Sequence, residues 1–504
     1  MIYIALVISV SLSAHGGQIH TNLSNLGAVH ITHSSSYRLQ LGYAVSGAGD
    51  FDGDGYLDIA IGAPYFHSGE LGDVFDSGAI FIVSGQDIDN VHNEIDLAAP
   101  SLQIAAIIGQ SESRIGKVFA KLGDVNADGV DDLAIGSEDH RAGYILYGKR
   151  EFVSKIFLDN LNDGGVEILN TGVTVSSAGD INRDGFHDVA FGNPYSEKVS
   201  LNGKDYHVGR VTVILGAPLL PDLLNALIPG SSHFSLRGEA DALTGSSLAG
   251  NIDMNNDGAS DLFIVAARGG KDFKGEGFLI LGKDDIAGDN APSYSFLIRQ
   301  ACREVRSAQD VNNDGYSDIL IEDENSSWFL LLGGEYKGET TLSNLSGQEG
   351  TRFYGAEAVF GVGDLNGDGF DDIAAAQPNA SIDGKVLAGR AVFLFGCPEW
   401  PQIVDIDKIC NGEFTPLDYV IVDGDEAFGL FGSSIAAIGD IQGDGFDDVV
   451  IGAPSEKLSF ESLPERPGDA YILQGDKFFM CLQTNRSVFR NRKNVFSQVK
   501  NLHP

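Results

Sequence analysis

The chain contains 504 residues, of which 43% are hydrophobic and 21% are charged, and its formal net charge is −38 at pH 7. This composition is typical of a folded globular protein, and 64 glycines against 15 prolines indicate frequent turns. The acidic balance disfavours nucleic acid as a partner, because nucleic-acid binding requires clusters of lysine and arginine.

The first fourteen residues, MIYIALVISVSLSA, are mostly apolar. An apolar segment that ends in small residues is typical of a secretory signal peptide, so residues 1–14 are predicted to be one, although no basic residue precedes the apolar stretch. The alternative is a strand of a truncated upstream repeat, since residues 2–7 resemble residues 470–473. No other stretch reaches the roughly 18 apolar residues of a membrane helix, and we therefore expect no transmembrane span.

One nine-residue motif recurs seven times along the chain. The first copy occupies residues 50–58, with the sequence DFDGDGYLD, and the other copies begin at Asp124, Asp180, Asp253, Asp310, Asp364 and Asp440. Every copy has aspartate at positions 1, 5 and 9 and glycine at position 6. Position 3 is aspartate in the first copy, glutamine in the seventh and asparagine in the others.

Oxygen-bearing side chains at alternate positions of a tight loop indicate a Ca²⁺ site, because this hard cation takes about six to eight oxygen ligands. By analogy with the EF-hand loop, the side chains at positions 1, 3, 5 and 9 and the backbone carbonyl at position 7 would bind the ion. The sequence thus predicts up to seven Ca²⁺ ions. The predicted ligands are Asp50, Asp52, Asp54, Tyr56, Asp58, Asp124, Asn126, Asp128, Val130, Asp132, Asp180, Asn182, Asp184, Phe186, Asp188, Asp253, Asn255, Asp257, Ala259, Asp261, Asp310, Asn312, Asp314, Tyr316, Asp318, Asp364, Asn366, Asp368, Phe370, Asp372, Asp440, Gln442, Asp444, Phe446 and Asp448.

Two other interpretations of the motif are less consistent with its sequence. Asp, Asn and Gly also mark ordinary surface turns, but an unchanged register in seven copies favours a metal site. An EF-hand loop would have glutamate at position 12, where this chain has isoleucine, phenylalanine or alanine. The residues after each motif have the pattern of a buried strand, so the loop is predicted to join two strands.

The copies of the motif start 54 to 76 residues apart, which indicates a repeat array with variable connections. In each repeat a glycine-rich segment, the loop and a short apolar strand precede a variable connection and a third strand. Third strands are predicted at residues 79–83, 143–147, 210–214, 277–281, 328–332, 391–395 and 470–474. A fourth strand is predicted between repeats, for example at residues 93–97.

Four short antiparallel strands per repeat predict an all-β fold, a seven-bladed β-propeller over residues 18–475. Closing the ring covers the faces of each blade, and we expect the N-terminal segment 18–23 to close it as the fourth strand of the seventh blade. Residues 476–504 break the pattern and form a predicted basic C-terminal tail. Such a tail could contact an anionic membrane or a partner, or it could be a loosely ordered terminus.

The four cysteines are Cys302, Cys397, Cys410 and Cys481. Cys397 and Cys410 flank a short segment at a repeat junction and could form a disulfide bond, or both could be free thiols. Five Asn-x-Ser/Thr triplets, the acceptor sequence for N-glycosylation of secreted proteins, begin at Asn22, Asn325, Asn344, Asn379 and Asn485.

The glycine-rich lead-in, the aspartate motif and the Gly-Ala-Pro that follows it at residues 62–64 and 452–454 resemble FG-GAP repeats. These repeats build the N-terminal propeller of integrin α subunits and of similar bacterial proteins. The resemblance covers residues 18–475 and implies a seven-bladed propeller whose Ca²⁺ loops lie on the face away from the main ligand surface. Position by position, it implies the metal ligands named above.

The sequence also departs from the integrin α pattern. No stalk, transmembrane helix or inserted ligand-binding domain is recognisable, and all seven repeats carry the motif. The second, fourth and fifth repeats lack Gly-Ala-Pro and have Gly-Ser-Glu, Val-Ala-Ala and Glu-Asp-Glu in its place. These departures favour comparison with a secreted FG-GAP protein over an integrin subunit that forms heterodimers.

The features together predict a calcium-binding interaction module, secreted or at the cell surface, that binds a protein or cell-surface ligand in adhesion. Loops of this kind with weak affinity require the millimolar calcium found outside the cytoplasm. Some phospholipase D-type enzymes resemble this chain in carrying FG-GAP propellers beside a catalytic domain, so part of a secreted hydrolase is the alternative. We predict no enzyme, because the sequence has no G-x-S-x-G motif and no histidine-rich metal cluster. A fragment of a larger repeat protein is a further alternative.

Overall fold

A computed structural model describes the residues of this chain in eighteen segments. The described residues are 19–34, 39–67, 76–90, 94–99, 102–137, 142–150, 153–161, 164–201, 203–228, 230, 232–270, 274–284, 286, 294–299, 302–342, 350–413, 415–455 and 466–478. The predicted signal peptide, Cys481 and residues 479–504 of the predicted basic tail lie outside them. Within them, no helix has the length and apolar character needed to cross a membrane.

The described elements are short strands and three short helices. In chain order they are β1 (Ile19–Asn22), α1 (Leu23–Leu26), β2 (Val29–Thr32), β3 (Val45–Gly49), β4 (Asp58–Ala63), β5 (Ala79–Val83), α2 (Gly85–Asn90), β6 (Glu94–Asp96), β7 (Ile104–Ile108), β8 (Val118–Gly123), β9 (Asp132–Ser137), β10 (Ala142–Leu146), β11 (Lys155–Phe157), β12 (Gly165–Leu169), β13 (Thr174–Gly179), β14 (Asp188–Asn193), β15 (Lys198–Leu201), β16 (Lys204–His207), β17 (Arg210–Ile214), β18 (Leu223–Asn225), β19 (His233–Arg237), β20 (Thr244–Ile252), β21 (Asp261–Ala266), β22 (Glu276–Ile280), β23 (Phe296–Arg299), β24 (Glu304–Gln309), β25 (Asp318–Glu322), β26 (Trp328–Leu331), β27 (Gly338–Thr340), β28 (Gly350–Tyr354), β29 (Ala358–Gly363), β30 (Asp372–Gln377), β31 (Arg390–Leu394), β32 (Ile403–Asp405), α3 (Ile406–Cys410), β33 (Tyr419–Asp423), β34 (Ser434–Gly439), β35 (Asp448–Ala453) and β36 (Asp469–Leu473).

The strands form seven antiparallel blades, as the repeat pattern predicts. The first blade has the order β3-β4-β5-β7, and the following blades are β8-β9-β10-β12, β13-β14-β17-β19, β20-β21-β22-β23, β24-β25-β26-β28, β29-β30-β31-β33 and β34-β35-β36-β2. The first strands of the blades contact one another in sequence, and β34 contacts β3. The fold is therefore a closed seven-bladed β-propeller, and the predicted third strands are confirmed to within one residue.

The segment that closes the ring differs from the prediction. Residues 18–23 were expected to complete the seventh blade, but β2 does so by pairing antiparallel with β36. β1 instead pairs in parallel with β33 at the outer edge of the sixth blade. Helix α1 separates β1 from β2, so two short segments with similar strand patterns reach neighbouring blades, and the local pattern cannot tell them apart.

Within the described residues, six blades have a fifth, outer strand that comes from the next blade. In the chain, this strand comes just before the fourth strand of the next blade. It pairs in parallel with the fourth strand of the blade whose edge it covers. The prediction of a fourth strand at residues 93–97 was therefore wrong. Glu94–Asp96 is the outer strand of the seventh blade, and the fourth strand of the first blade is β7.

The hydrophobic core lies between neighbouring blades. One cluster combines Phe393 and Val420 of the sixth blade with Ile451 and Tyr471 of the seventh, all of them buried. Second strands such as β4 are buried along their whole length, because both of their faces pack against other blades. Phe478 is also fully buried in this cluster, with its ring centroid 4.7 Å from that of Phe393, so the packed body extends past residue 475.

An ion pair lies across the pairing that closes the ring. The Nε2 atom of His30 on β2 is 2.9 Å from Oδ1 of Asp469 on β36, and the His30 ring stacks on Tyr471 at 4.9 Å. The hydrogen bond to Asp469 raises the pKa of His30, and the charges of Glu94 and Glu426 act in the same direction against partial burial. Protonated His30 therefore stabilises the closed ring.

We expect this stabilisation to be complete below the ordinary histidine pKa of about 6.5 and to be lost as the pH rises through the higher folded value. Because His30 is partly exposed, the contribution should be below about 1 kcal/mol. The unfolding free energy of the native chain and of His30→Gln is measured in urea at about pH 6 and about pH 8. The contribution of His30 is the change between the two pH values in the native chain minus the same change in the variant. Asp469→Asn should remove the same pH-dependent component, and a pH dependence that is identical in all three proteins would contradict the assignment.

Candidate metal centre

Each of the seven aspartate motifs joins the first and second strands of a blade. The first motif, for example, lies between β3 and β4, and its ninth residue, Asp58, begins β4. A β-bulge precedes the motif in every blade and bends the first strand into the loop. Because the strands of a blade alternate in direction, all seven loops emerge on one face of the ring, together with the connections between third and fourth strands.

The aspartates at positions 1 and 5 fold the loop back on itself. In every loop the position 1 carboxylate accepts a hydrogen bond from the N–H of the position 6 glycine, at 2.7 to 3.1 Å. The position 5 carboxylate accepts one from the N–H at position 7, at 2.8 to 3.2 Å. The position 6 glycines have φ between 81° and 94°, a conformation that side chains disfavour.

The aspartate at position 9 connects the loop to the rest of its blade. Its Oδ2 accepts a hydrogen bond from the N–H at position 2, at 2.9 or 3.0 Å. Its Oδ1 accepts one, at 2.7 to 3.0 Å, from the N–H of a glycine that follows the third strand. All seven of these aspartates are at most 1% exposed.

Burial raises the pKa of the position 9 carboxyls, although these hydrogen bonds oppose the shift. The pKa of Asp318 is raised to about 8, and that of Asp372 lies well above its ordinary range. The carboxyls whose pKa is raised to about 7 are Asp58, Asp132, Asp188, Asp261 and Asp448. A nearby cation would favour the charged form of such a group, so the loops are electrostatically suited to a positive ion.

Position 3 is arranged differently in the first loop and in the others. One carboxylate oxygen from each of Asp50, Asp52 and Asp58 lies within 4.8 Å of the other two, the one such acidic group found among the described residues. Asparagine occupies position 3 in loops two to six, and in loops two to five its amide donates to the position 5 carboxylate at 2.8 to 3.0 Å. The amide thereby offsets part of the negative charge within the loop. In the sixth loop, Nδ2 of Asn366 is buried and makes no such bond.

Several buried oxygens in the loops have no hydrogen-bond partner. Within the described part of the chain, these include Oδ1 of Asp50, Oδ1 of Asn312 and Oε1 of Gln442, at positions 1 and 3. A buried acceptor without a partner costs about 1–3 kcal/mol, and a cation bound to the oxygen would remove that cost. A donor set made only of carboxylate, amide and carbonyl oxygens suits Ca²⁺ better than a transition metal. The residues present therefore fit the predicted ion.

The sequence analysis missed the residue at position 8, which contacts the preceding loop. Oδ2 of Asp371 in the sixth loop accepts a hydrogen bond from the N–H of Asp310 in the fifth loop, at 2.8 Å. The residue type at this position varies from loop to loop, so the motif gave no signal of this contact.

The two cysteines considered for a disulfide, Cys397 and Cys410, are free thiols.

Comparisons with known proteins agree with this architecture. A family model described as FG-GAP repeat matches residues 41–83, 171–214, 358–394 and 431–473, and one described as FG-GAP-like repeat matches residues 310–375. Integrin alpha-PS5 of Drosophila melanogaster is 29% identical over 180 residues, and integrin alpha-5 of Xenopus laevis is 30% identical over 192 residues. Each alignment covers 34% of this chain and 17% of the integrin.

A longer alignment is found with a different protein. The phosphatidylinositol-glycan-specific phospholipase D of Homo sapiens is 25% identical over 452 residues, which are 79% of this chain and 51% of the enzyme. This chain thus spans about half of that relative and a smaller part of the integrins. With the seven blades, the loops and the repeat matches, the chain contains FG-GAP repeats, and its β-propeller is similar to that of the integrin α subunits.

Proposed function

We propose that this protein is an extracellular interaction module whose seven loops bind Ca²⁺ and thereby brace the blades. The observation that carries the proposal is the repeated oxygen-lined loop, in which buried oxygens of Asp50, Asn312 and Gln442 have no other partner. Bound Ca²⁺ would supply positive charge among carboxylates that otherwise repel one another. The residues at positions 1, 3, 5 and 9 would hold it from side-chain oxygens, and position 7 would do so from its carbonyl.

The position 9 aspartate has a structural role in addition to the proposed metal binding. Its two backbone hydrogen bonds connect the loop to the third strand, so an ion held by the loop would also be coupled to the blade core. The position 5 aspartate, in contrast, is exposed in the first loop, where it accepts hydrogen bonds from the N–H of Tyr56 at 2.8 Å and from the hydroxyl of Ser84 at a longer 3.4 Å. The two positions therefore separate the metal contribution from the packing contribution.

Protein binding is the role that we propose for the opposite face, which is formed by the connections between the second and third strands and between successive blades. Tyr43, Tyr195 and Tyr354 lie there and are 41% to 45% exposed. Exposed tyrosines are typical of binding surfaces, because the ring supplies apolar area and the hydroxyl a hydrogen bond. This arrangement supports a protein or cell-surface ligand, in adhesion, on the face away from the metal loops.

A second candidate function is that of the propeller part of a membrane-directed hydrolase. The long alignment with a phospholipase D supports it, and so do exposed aliphatic side chains in the connection between β17 and β19, called here the aliphatic cluster. In this cluster Leu219 is 89% exposed, Leu223 55% and Ile228 61%. Exposed aliphatic side chains of this kind fit a lipid surface, since they would leave water on contact.

Calcium should stabilise the protein if the loops bind it. With Kd values of about 10⁻⁴–10⁻³ M, a few millimolar Ca²⁺ contributes on the order of 1–2 kcal/mol per site. The melting temperature should therefore rise by ~5 °C or more between chelator and millimolar Ca²⁺ in calorimetry. Mg²⁺ at the same concentration serves as the control, and equal melting temperatures in chelator and Ca²⁺ would rule out a structural role for the metal.

Two substitutions in the first loop separate the contribution of the metal to stability from that of the hydrogen bonds within the blade. Asp58→Asn removes one buried acceptor and should lower the unfolding free energy by about 1–3 kcal/mol, even in chelator. Asp54→Asn should change that energy by less than about 0.5 kcal/mol in chelator but should reduce the stabilisation by Ca²⁺. Equilibrium denaturation with and without Ca²⁺ measures both. Equal effects of the two variants in chelator would contradict the separate roles.

The two candidate functions differ in the exposed residues that they use. Surface binding to cells should fall at least ~5-fold in the triple variant Tyr43→Ala, Tyr195→Ala, Tyr354→Ala if the tyrosine face binds a protein ligand. Sedimentation with phosphatidylinositol-containing vesicles should fall in Leu219→Ser with Ile228→Ser if the aliphatic cluster contacts lipid. Each multiple variant is the control for the other, and melting temperature verifies that both are folded.

A further inference from the structure

Consecutive metal loops are hydrogen-bonded to each other through position 8. At six of the seven junctions, the N–H at position 8 of one loop donates to the position 1 carbonyl of the preceding loop, at 2.9 to 3.4 Å. The six pairs are Asp131 with Asp50, His187 with Asp124, Ser260 with Asp180, Ser317 with Asp253, Asp371 with Asp310, and Asp447 with Asp364. The residue that provides a predicted metal ligand is thus held by the next blade.

At four junctions the position 8 side chain makes a second bond in the opposite direction. The carboxylates of Asp131, Asp371 and Asp447 and the hydroxyl of Ser317 accept from the N–H of the same position 1 residue, at 2.8 to 3.1 Å. Both backbone polar groups of position 1 are then bonded to a single residue of the next loop. Such a residue cannot rotate without breaking a contact between blades.

A glycine directly before position 1 leaves space for the position 8 side chain of the next loop. A Cβ atom on Gly49 would lie 1.8 Å from Oδ2 of Asp131, and one on Gly363 would lie 2.2 Å from Oδ2 of Asp447. Both glycines have φ above 70°, in the region that side chains disfavour. A larger residue at either position would displace the carboxylate from the neighbouring loop.

One junction lacks the contact. Position 8 of the first loop is Leu57, whose side chain cannot accept a hydrogen bond, and within the described residues none joins Leu57 to Asp440 of the seventh loop. The Leu57 side chain instead lies over Gly439, with Cδ1 2.8 Å from where a Cβ atom would be. The series of linked loops therefore has a single gap, at the junction where the ring closes.

We infer that, at the four junctions where its side chain bonds to position 1, position 8 is a positioning residue for the metal site of the preceding loop and links calcium affinity between the two blades. This inference rests on the proposed function. Position 1 must hold its carboxylate toward the ion, and two backbone hydrogen bonds from the next blade restrict its motion before the ion arrives. A ligand that is already ordered loses less conformational entropy on binding.

The fifth loop has a built-in optical reporter for testing this. The indole N–H of Trp400 donates to the carbonyl of Val311, at position 2 of that loop, at 3.2 Å. The chain has only two tryptophans, and the other, Trp328, begins β26 at the end of the blade away from the loops. Terbium(III), which occupies calcium sites and emits when a nearby tryptophan is excited, should therefore report on the fifth loop. Asp314→Ala, in the same loop, should remove most of this emission.

Asp371 is position 8 of the sixth loop and contacts the fifth loop. Asp371→Leu therefore introduces next to the fifth loop the residue type that occupies position 8 at the gap. The terbium concentration for half-maximal tryptophan-excited emission should rise about tenfold, because Asp310 loses its side-chain contact. Asp371→Asn retains an oxygen acceptor and should stay within about twofold of the native chain. The matched control is Asp447→Leu, which removes the same contact from the sixth loop and should leave the fifth-loop midpoint within about twofold.

The outcomes separate the inference from the proposed function. An unchanged midpoint in Asp371→Leu would overturn the inference, and so would an Asn variant that loses as much affinity as the Leu variant, since charge would then be the cause. Absence of terbium emission in the native chain would instead overturn calcium binding itself. If Asp371→Leu does not fold, Leu57→Asp tests the same point by supplying the missing acceptor. It should lower the Ca²⁺ concentration needed for half of the thermal stabilisation, and no change would count against the inference.

Discussion

The structure depends on a buried carboxylate that is bonded in two directions. In every blade the ninth residue of the aspartate motif accepts one hydrogen bond from its own loop and one from the glycine after the third strand. A buried charge is costly unless it is paired, and here backbone N–H groups provide only part of the compensation, as the raised pKa values indicate. The loop is thus attached to the blade core, and the remaining carboxylates of the loop are arranged around a space suited to a cation.

The ring distributes this local interaction over the whole molecule. Each blade packs its apolar faces on its neighbours, and most blades also receive an outer strand from the next one. The loops add a further series of hydrogen bonds on one face. Neighbouring blades are therefore connected at the core, at the outer edge and at the aspartate loops.

The two faces of the ring differ in their chemistry. The face with the aspartate loops carries their carboxylates, whereas the opposite face presents exposed tyrosines. Integrin α subunits align over a third of the chain, and a phospholipase D aligns over 79% of it. Because one fold can carry different functions, the exposed residues are what distinguish the proposed functions.

The sequence by itself determined the repeat number, the second and third strands of the blades and the position of the loops, because a fixed motif and short apolar runs depend only on local geometry. It also identified Asp58 and its equivalents as loop residues. It did not indicate that their carboxylates accept hydrogen bonds from the glycine that follows the third strand. Tertiary structure alone decided which N-terminal strand closes the ring, because β1 and β2 have similar local patterns and differ only in their distant partners. It likewise decided the contacts of position 8, since Asp371 bonds to Asp310 of the preceding blade and Leu57 lies over Gly439, and no spacing within one repeat records a contact between two.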